Sequence, residues 1–296
     1  MRNITPCLWF DNNAEEAVSF YVSIFERSKV VNVARYGEAG AEASGRPKGT
    51  VMTMTFQLEG QELMALNGGP VFTFSPAVSF FVSCRTEAQI GGLFEKLSDG
   101  GTTLMELDRY PFSEKFGWVE DKFGVSWQIN LASRRQAITP FLMFVGEQHG
   151  RAEEAMHLYV SLFKDSSIVN IERYGEGEGD PAGTVKHAVF SLHGQEFMAM
   201  DSNREHPFTF TPAISLVVNC QTQEEVDEFW ERLSEGGEKD QCGWLKDKFG
   251  VSWQIVPTVL GEMMQDSDPK KTERAMAALL KMDKIDIKVL RQAYEQ

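Results

Sequence analysis

What the sequence lacks narrows the field before any motif is read. Its four cysteines, Cys7, Cys84, Cys220 and Cys242, lie far apart and form no CxxC pair. Neither a zinc ribbon nor a disulfide framework is therefore encoded. Histidine is absent before residue 149; the five that follow are His149, His157, His187, His193 and His206. No apolar run approaches the roughly 20 residues that a membrane-spanning helix needs. The start, MRNITPCLWF, has no basic segment leading into a long apolar one, so a secretory signal is not expected. Basic residues are in deficit as well: 29 Lys and Arg stand against 43 Asp and Glu, a formal charge of −14. Such a surface repels phosphate backbones and anionic membranes. The expectation is a soluble globular chain of the reducing cytoplasm, with free thiols, no nucleic-acid partner and no membrane.

What is present is a repeat. ITPCLWF at 4–10 returns as ITPFLMF at 138–144, and AEEAVSFYVSIF at 14–25 as AEEAMHLYVSLF at 152–163. VVNVARYGE, GQELMAL and FTFSPAVS return in the same order as IVNIERYGE, GQEFMAM and FTFTPAIS. GWVEDKFGVSWQI at 117–129 returns as GWLKDKFGVSWQI at 243–255. Within each copy, ITPCLWFD reads as a strand closed by a turn signal. The three- and four-residue spacing of Ala14, Ala17, Val18, Tyr21 and Phe25 predicts a helix. Three strand-like runs follow, and then a second, more weakly marked βαβββ pass. The second copy is about ten residues shorter before its CGW, so the two halves need not share one pocket. Residues 258–296 have no counterpart in the first copy. There Asp268-Pro269 caps a predicted helix, and Ala275, Met276, Leu279 and Leu280 give it an apolar stripe, as in a helical tail packed on the body.

Paired βαβββ modules with an Asp-x-x-Gly turn before the last strand resemble the vicinal oxygen chelate superfamily. ITPCLWFD, AEEAVSFY, GQELMALNGGP and KDKFGVSWQI are most similar to its PhnB-like branch, often labelled 3-demethylubiquinone-9 3-methyltransferase-like. The resemblance implies an α+β fold of two tandem glyoxalase-like domains. Each domain is expected to hold two βαβββ modules that form one sheet cup, with a C-terminal helical tail. The implied boundaries are 1–133, 134–257 and 258–296. By the same analogy the halves pack as a pseudo-dimer within one chain, which leaves room for a further homodimer.

In metal-dependent relatives four cup residues hold an ion. The resemblance places those positions at Thr5, Met64, Ala77 and Gln128, and at Thr139, Met198, Ala213 and Gln254. Only the glutamines among them coordinate readily, and a neutral amide is a weak ligand, so no metal and no cofactor is expected. Strand parity turns Gln128 and Gln254 into the cups and Trp127 and Trp253 toward the helices. The same parity turns Thr5, Cys7 and Trp9 inward, and Thr139, Phe141 and Met143 in the second copy. With Met64, Leu66, Phe81 and Met198, these residues make apolar walls with few polar points, which suits a small apolar or aromatic ligand and equally a plain core. The glutamines either serve a ligand or bond neighbouring backbone. Cys242 has no histidine placed to activate it, so it reads as structural. GEGEGD at 175–180 joins two predicted strands and opens no helix, which argues against a methyltransferase nucleotide loop.

The expected function is metal-free small-molecule binding, as in the bleomycin-resistance relatives. The alternatives are a lyase, dioxygenase or isomerase of the same superfamily, or a ligand-responsive interaction protein acting through the tail.

Overall fold

The computed structural model describes residues 4–132 and 137–296. The expected domain boundary at 133/134 lies outside them. Module one contains β1 (Ile4–Phe10), α1 (Ala14–Ile24), β2 (Ser28–Arg35), α2 (Glu38–Ser44), β3 (Val51–Leu58) and β4 (Gln61–Asn67). Module two contains β5 (Val78–Cys84), α3 (Glu87–Ser98), β6 (Thr102–Tyr110), β7 (Ser113–Glu120) and β8 (Ser126–Leu131). Module three contains β9 (Ala137–Phe144), α4 (Ala152–Leu162), β10 (Ser167–Arg173), β11 (Val185–Leu192) and β12 (Gln195–Asp201). Module four contains β13 (Ile214–Cys220), α5 (Gln223–Ser234), β14 (Glu238–Lys239), β15 (Trp244–Lys246) and β16 (Ser252–Pro257). The tail is α6 (Thr258–Met264), α7 (Pro269–Leu279) and α8 (Ile287–Glu295). No helix among the described residues is long and apolar enough to cross a membrane.

The fold class is the expected one, an α+β chain of glyoxalase-like modules with C-terminal helices. The pairing of modules is different. Sheet I runs β14-β15-β16-β13-β1-β4-β3-β2 and sheet II runs β10-β11-β12-β9-β5-β8-β7-β6. Each cup therefore takes one module from each half, and neither half closes a cup alone. The joins are antiparallel: β1 lies on β13, with Cys7 opposite Ser215, and β5 lies on β9, with Ser79 opposite Phe141. Alternation decides which side of a strand is apolar, but the choice between two equivalent neighbours rests on tertiary packing.

Each sheet has one face on the helices and one face turned away from them. Leu8 and Phe10 of β1, Trp127 and Ile129 of β8, and Trp253 and Ile255 of β16 join the helices in one continuous core. The alternate residues of the same strands make the cups. α1 buries a single stripe of Ala14, Ala17, Val18 and Tyr21, with Glu15 and Glu16 in its first turn, where the helix dipole favours acid. α3 and α5 start at Thr86 and Thr222, whose side chains accept the N–H of Gln89 and Glu225.

GEAGAEASG at 37–45 reads as a loop by analogy with its counterpart, yet it folds as α2. Three alanines favour the helix, and the tail supplies its N-terminal acceptor: Glu273 takes the N–H groups of Glu38 and Ala39. The tail itself follows expectation. Asp268 caps α7 by accepting from Lys270 N, Pro269 opens the helix, and Ala275 and Leu279 are buried.

The repeated DKFG turn has a specific job. Asp121 Oδ1 accepts the backbone N–H of Phe123 and Val125, which shapes the turn, while Gly124 takes φ +88°. Asp121 Oδ2 accepts Tyr21 OH at 2.7 Å and Trp127 Nε1 at 2.8 Å. Asp247 repeats the arrangement with Phe249, Val251, Tyr159 and Trp253. Burial pushes both carboxyls up, and the converging donors pull them partway back. Removing the carboxylate leaves four buried donors without an acceptor. Asp247→Ala is expected to cost about 3–5 kcal/mol, read as a loss of Cm in urea unfolding. Tyr159→Phe, which deletes one donor only, is expected to cost about 1 kcal/mol.

Candidate functional site

The cup faces can be built from strand register. In cup I, Cys7 lies opposite Ser215 on one side and beside Met64 on the other. Val217 is beside Gln254, which is opposite Trp244. Gln254 Nε2 donates to Ser215 Oγ at 2.9 Å, and the Cys7 thiol bonds both side chains. Cys7 is 1% exposed, and burial pushes its thiol up to about 12. It is therefore a neutral group at physiological pH, with neither nucleophilic nor metal-binding character. Trp9 stands at the rim, edge-on to Phe72 and Trp244 with centroids 4.9 and 5.7 Å away, and donates Nε1–H to Gly69 O.

Cup II has the same plan with different contents. Gln128 Nε2 donates to Ser79 Oγ at 2.9 Å. The position of Cys7 is taken by Phe141, which packs with Met143, Val145 and Met198 in a cluster separate from the main core. Phe81 and Trp118 complete this lining, and Trp118 Nε1 donates to Ser126 Oγ at 2.7 Å. Aromatic rings continue outward from there. Phe141 stacks on Phe81, Phe81 neighbours Phe116, and Phe116 meets both Tyr110 and Phe112 on the β6–β7 hairpin. Phe112 is 66% exposed. On the same strand face as Trp118, Glu120 has its carboxyl pushed up by burial and by the charge of Asp121.

The residues singled out by sequence are brought together, but in crossed sets. Thr5, Cys7, Trp9 and Met64 share a cup with Gln254, whereas Thr139, Phe141 and Met198 share one with Gln128. Thr5 faces cup I opposite Val217, and its hydroxyl donates to Glu62 at 3.4 Å. Trp127 and Trp253 are fully buried on the helix side, as parity requires. Sequence reasoning missed Ser79 and Ser215, the side chains that hold the glutamines. A signal was present, because FTFSPAVS and FTFTPAIS end on the same serine in both copies.

The donor set decides the metal question. In the composite cups the implied ligand positions are Thr5, Met64, Ala213 and Gln254, and Thr139, Met198, Ala77 and Gln128. A hydroxyl, a thioether, a methyl and an amide do not fit a resident divalent ion. Among the described residues no three His, Cys, Asp or Glu side chains gather as a metal site. Cys242 Sγ points at Leu279 O of the tail, and burial pushes its thiol up as well. Alkylation with iodoacetamide at pH 8 is accordingly expected to leave Cys7 and Cys84, both with thiols near 12, unmodified in the folded chain. Peptide mass spectrometry should find both labelled only after guanidinium unfolding; rapid native labelling of Cys7 would contradict the neutral, closed thiol.

The profile of the 3-demethylubiquinone-9 3-methyltransferase family matches residues 2–130 and again 136–256. A solved structure described as a putative 3-demethylubiquinone-9 3-methyltransferase, PhnB protein, from Bacillus cereus is 47% identical; the match covers 44% of this chain and all of that one, with a TM-score of 0.41. A protein from Staphylococcus aureus is 38% identical over 43% of this chain and 94% of its own, with a TM-score of 0.18. Glyoxalase I from Zea mays is only 9% identical but spans 85% of this chain and 90% of its own at a TM-score of 0.52, a likeness of fold. No curated protein matches the chain. With two consecutive profile matches that together span most of its length, the chain belongs to the 3-demethylubiquinone-9 3-methyltransferase family, as a tandem of two halves with a glyoxalase-like fold.

Proposed function

We propose that the chain binds a small apolar or aromatic molecule in its cups without the help of a metal, sequestering it rather than transforming it. The observation that carries this reading is the Gln128–Ser79 pair. It sets one oriented amide in a lining of Phe81, Trp118, Phe141 and Met198. Apolar walls with a few fixed polar groups are the composition of a ligand site, and methionines let such walls adapt. The methyl-transfer activity in the family's label finds no support. The glycine-rich stretch 175–180 joins β10 to its antiparallel neighbour β11 and opens no helix, so it offers no nucleotide cradle.

One observation favours a second reading. A carboxyl raised by burial, as Glu120 is, suits proton transfer on a bound ligand, which is the cofactor-free isomerase alternative. Turnover of any bound compound that Glu120→Gln abolishes without weakening its binding would select that reading over sequestration.

A thermal-shift screen over aromatic metabolites and drugs is expected to yield stabilising ligands, and a screen with none would remove the proposal. With N-phenyl-1-naphthylamine, an apolar aromatic probe carrying one N–H, Gln128→Ala is expected to weaken binding about fivefold, the worth of one neutral hydrogen bond. EDTA treatment is expected to change neither that affinity nor the melting temperature; a drop in either would restore a metal to the cup.

A further inference from the structure

We infer that the C-terminal helices roof cup I, so that this cup fills only when the roof lifts, whereas the tail does not cover cup II; the inference rests on the cups being binding sites. The two free edges of sheet I are β2 and the β14–β15 pair, at opposite ends of the eight strands. The tail holds both. At one end Cys242 N and Gly243 N, just before β15, donate to Met282 O and Asp283 O, each at 2.7 Å. At the other, Glu273 of α7 accepts from the first turn of α2, the helix that follows β2. A Cβ on Gly37 would meet that carboxylate and displace it, so the glycine leaves room for the contact. Between these anchors Val256, on the same strand face as Gln254, packs into the tail's own cluster.

A gap of about 290 Å³ remains under the roof, between Val33, Ala34 and Met52 on the sheet side and Met264 and Met276 on the tail side. Its lining residue Ala34 belongs to a row of cup-facing residues. Ala34 pairs with Thr53, Thr53 with Leu66 and Leu66 with Trp9, and directly paired residues share one face of a sheet. The gap thus leads along one row of cup-facing residues to the Trp9–Trp244 rim. Its size is that of a small ligand site or an entry passage, and its lining sets the thioethers of Met52, Met264 and Met276 beside the polar Arg35, Thr272 and Glu273.

Among the described residues no helical tail bridges the edges of sheet II. Its corresponding edges are β10, where Val169 is 59% exposed, and the long β6–β7 hairpin that carries the exposed Phe112. The roof is anchored at one end and lightly held at the other. The bonds of Met282 and Asp283, of Gln223 with Ile285 and Ile287, and of Lys284 with Asp227 fix the α8 side, whereas two hydrogen bonds from one carboxylate tie α7 to α2; the tail's apolar residues form a cluster separate from the main core. Segments with their own small core and few ties are those that open below the global unfolding energy.

The test is stopped-flow fluorescence with N-phenyl-1-naphthylamine on the full chain. Wild type is expected to show a fast phase from cup II and a slow, roof-limited phase from cup I. Glu273→Ala, which removes both hydrogen bonds of that carboxylate from the closed state, should quicken the slow phase at least about tenfold and leave its amplitude unchanged. Met276→Trp, which fills the gap, should remove the slow phase and spare the fast one, whereas Gln128→Ala should weaken only the fast one. Circular dichroism melts check that each variant folds, and Glu273→Ala alone decides the matter if Met276→Trp does not. A single phase in wild type, or a slow phase indifferent to Glu273→Ala, overturns the roof while leaving cup II binding intact. Absence of any binding removes the binding reading and the roof with it.

Discussion

One buried carboxylate in each half decides how the modules sit. Asp121 belongs to sheet II, but its Tyr21 partner belongs to α1, which packs on sheet I; Asp247 belongs to sheet I and reaches Tyr159 of α4 over sheet II. Each aspartate therefore pins a module of one sheet to a module of the other. The same carboxylate shapes the turn and holds the indole of Trp127 or Trp253, fixing the rotation of the last strand. With the indole locked on the helix side, alternation leaves Gln128 and Gln254 no face but the cup. Burial raises both carboxyls, so their ionised form is carried at a net cost. In linkage terms a raised acid favours folding below its native pKa and disfavours it above. These aspartates thus specify geometry more than they add stability at neutral pH, the role best attested for buried polar groups.

Pairing across the halves then turns one duplication into two unlike sites. Every cup contains a strand set from each copy, so a change in either copy alters one cup and spares the other. Cys7 of the first copy and Phe141 of the second occupy the same register, opposite Ser215 and Ser79. One cup therefore holds a small neutral thiol among hydrogen-bonding groups and the other an aromatic wall. The shortened β14–β15 pair in the second copy leaves an edge that the tail covers, whereas the full β6–β7 hairpin of the first copy stands free.

The modules were readable in the sequence because repetition supplied an internal control: most strand and helix signals occur twice, whereas β6 (Thr102–Tyr110), whose counterpart is cut to the two residues of β14, has no such check. Facing was readable too, since residues such as Trp127 and Gln128 are neighbours in sequence and a strand must send them to opposite sides. Partnership was not. The pattern of β1 allows pairing with β5 or with β13 equally, for both begin at the same Ala-Val/Ile-Ser stretch. α2 was missed because its decisive contact, Glu273, lies 235 residues from Glu38. The two serines were missed because the superfamily's ligand position, carried over by resemblance, falls two residues earlier on Ala77 and Ala213.

That two-residue offset bears on what the cups recognise. A metal-binding cup presents charged donors that converge on a point and must be deprotonated to do so. Here the groups beside each glutamine are a hydroxyl and, in cup I, a thiol held neutral by burial. A buried neutral amide oriented by a neutral hydroxyl imposes direction without charge. Under the binding reading proposed above, it suits a ligand that brings one N–H or C=O and otherwise apolar surface, because an anion entering cup II would lose its hydration and meet the Glu120 carboxyl rather than a counter-ion. The acidic exterior, at −14 overall, adds to that selection by repelling anions before they reach the rim. On that binding reading, anions are what both the lining and the outer field disfavour.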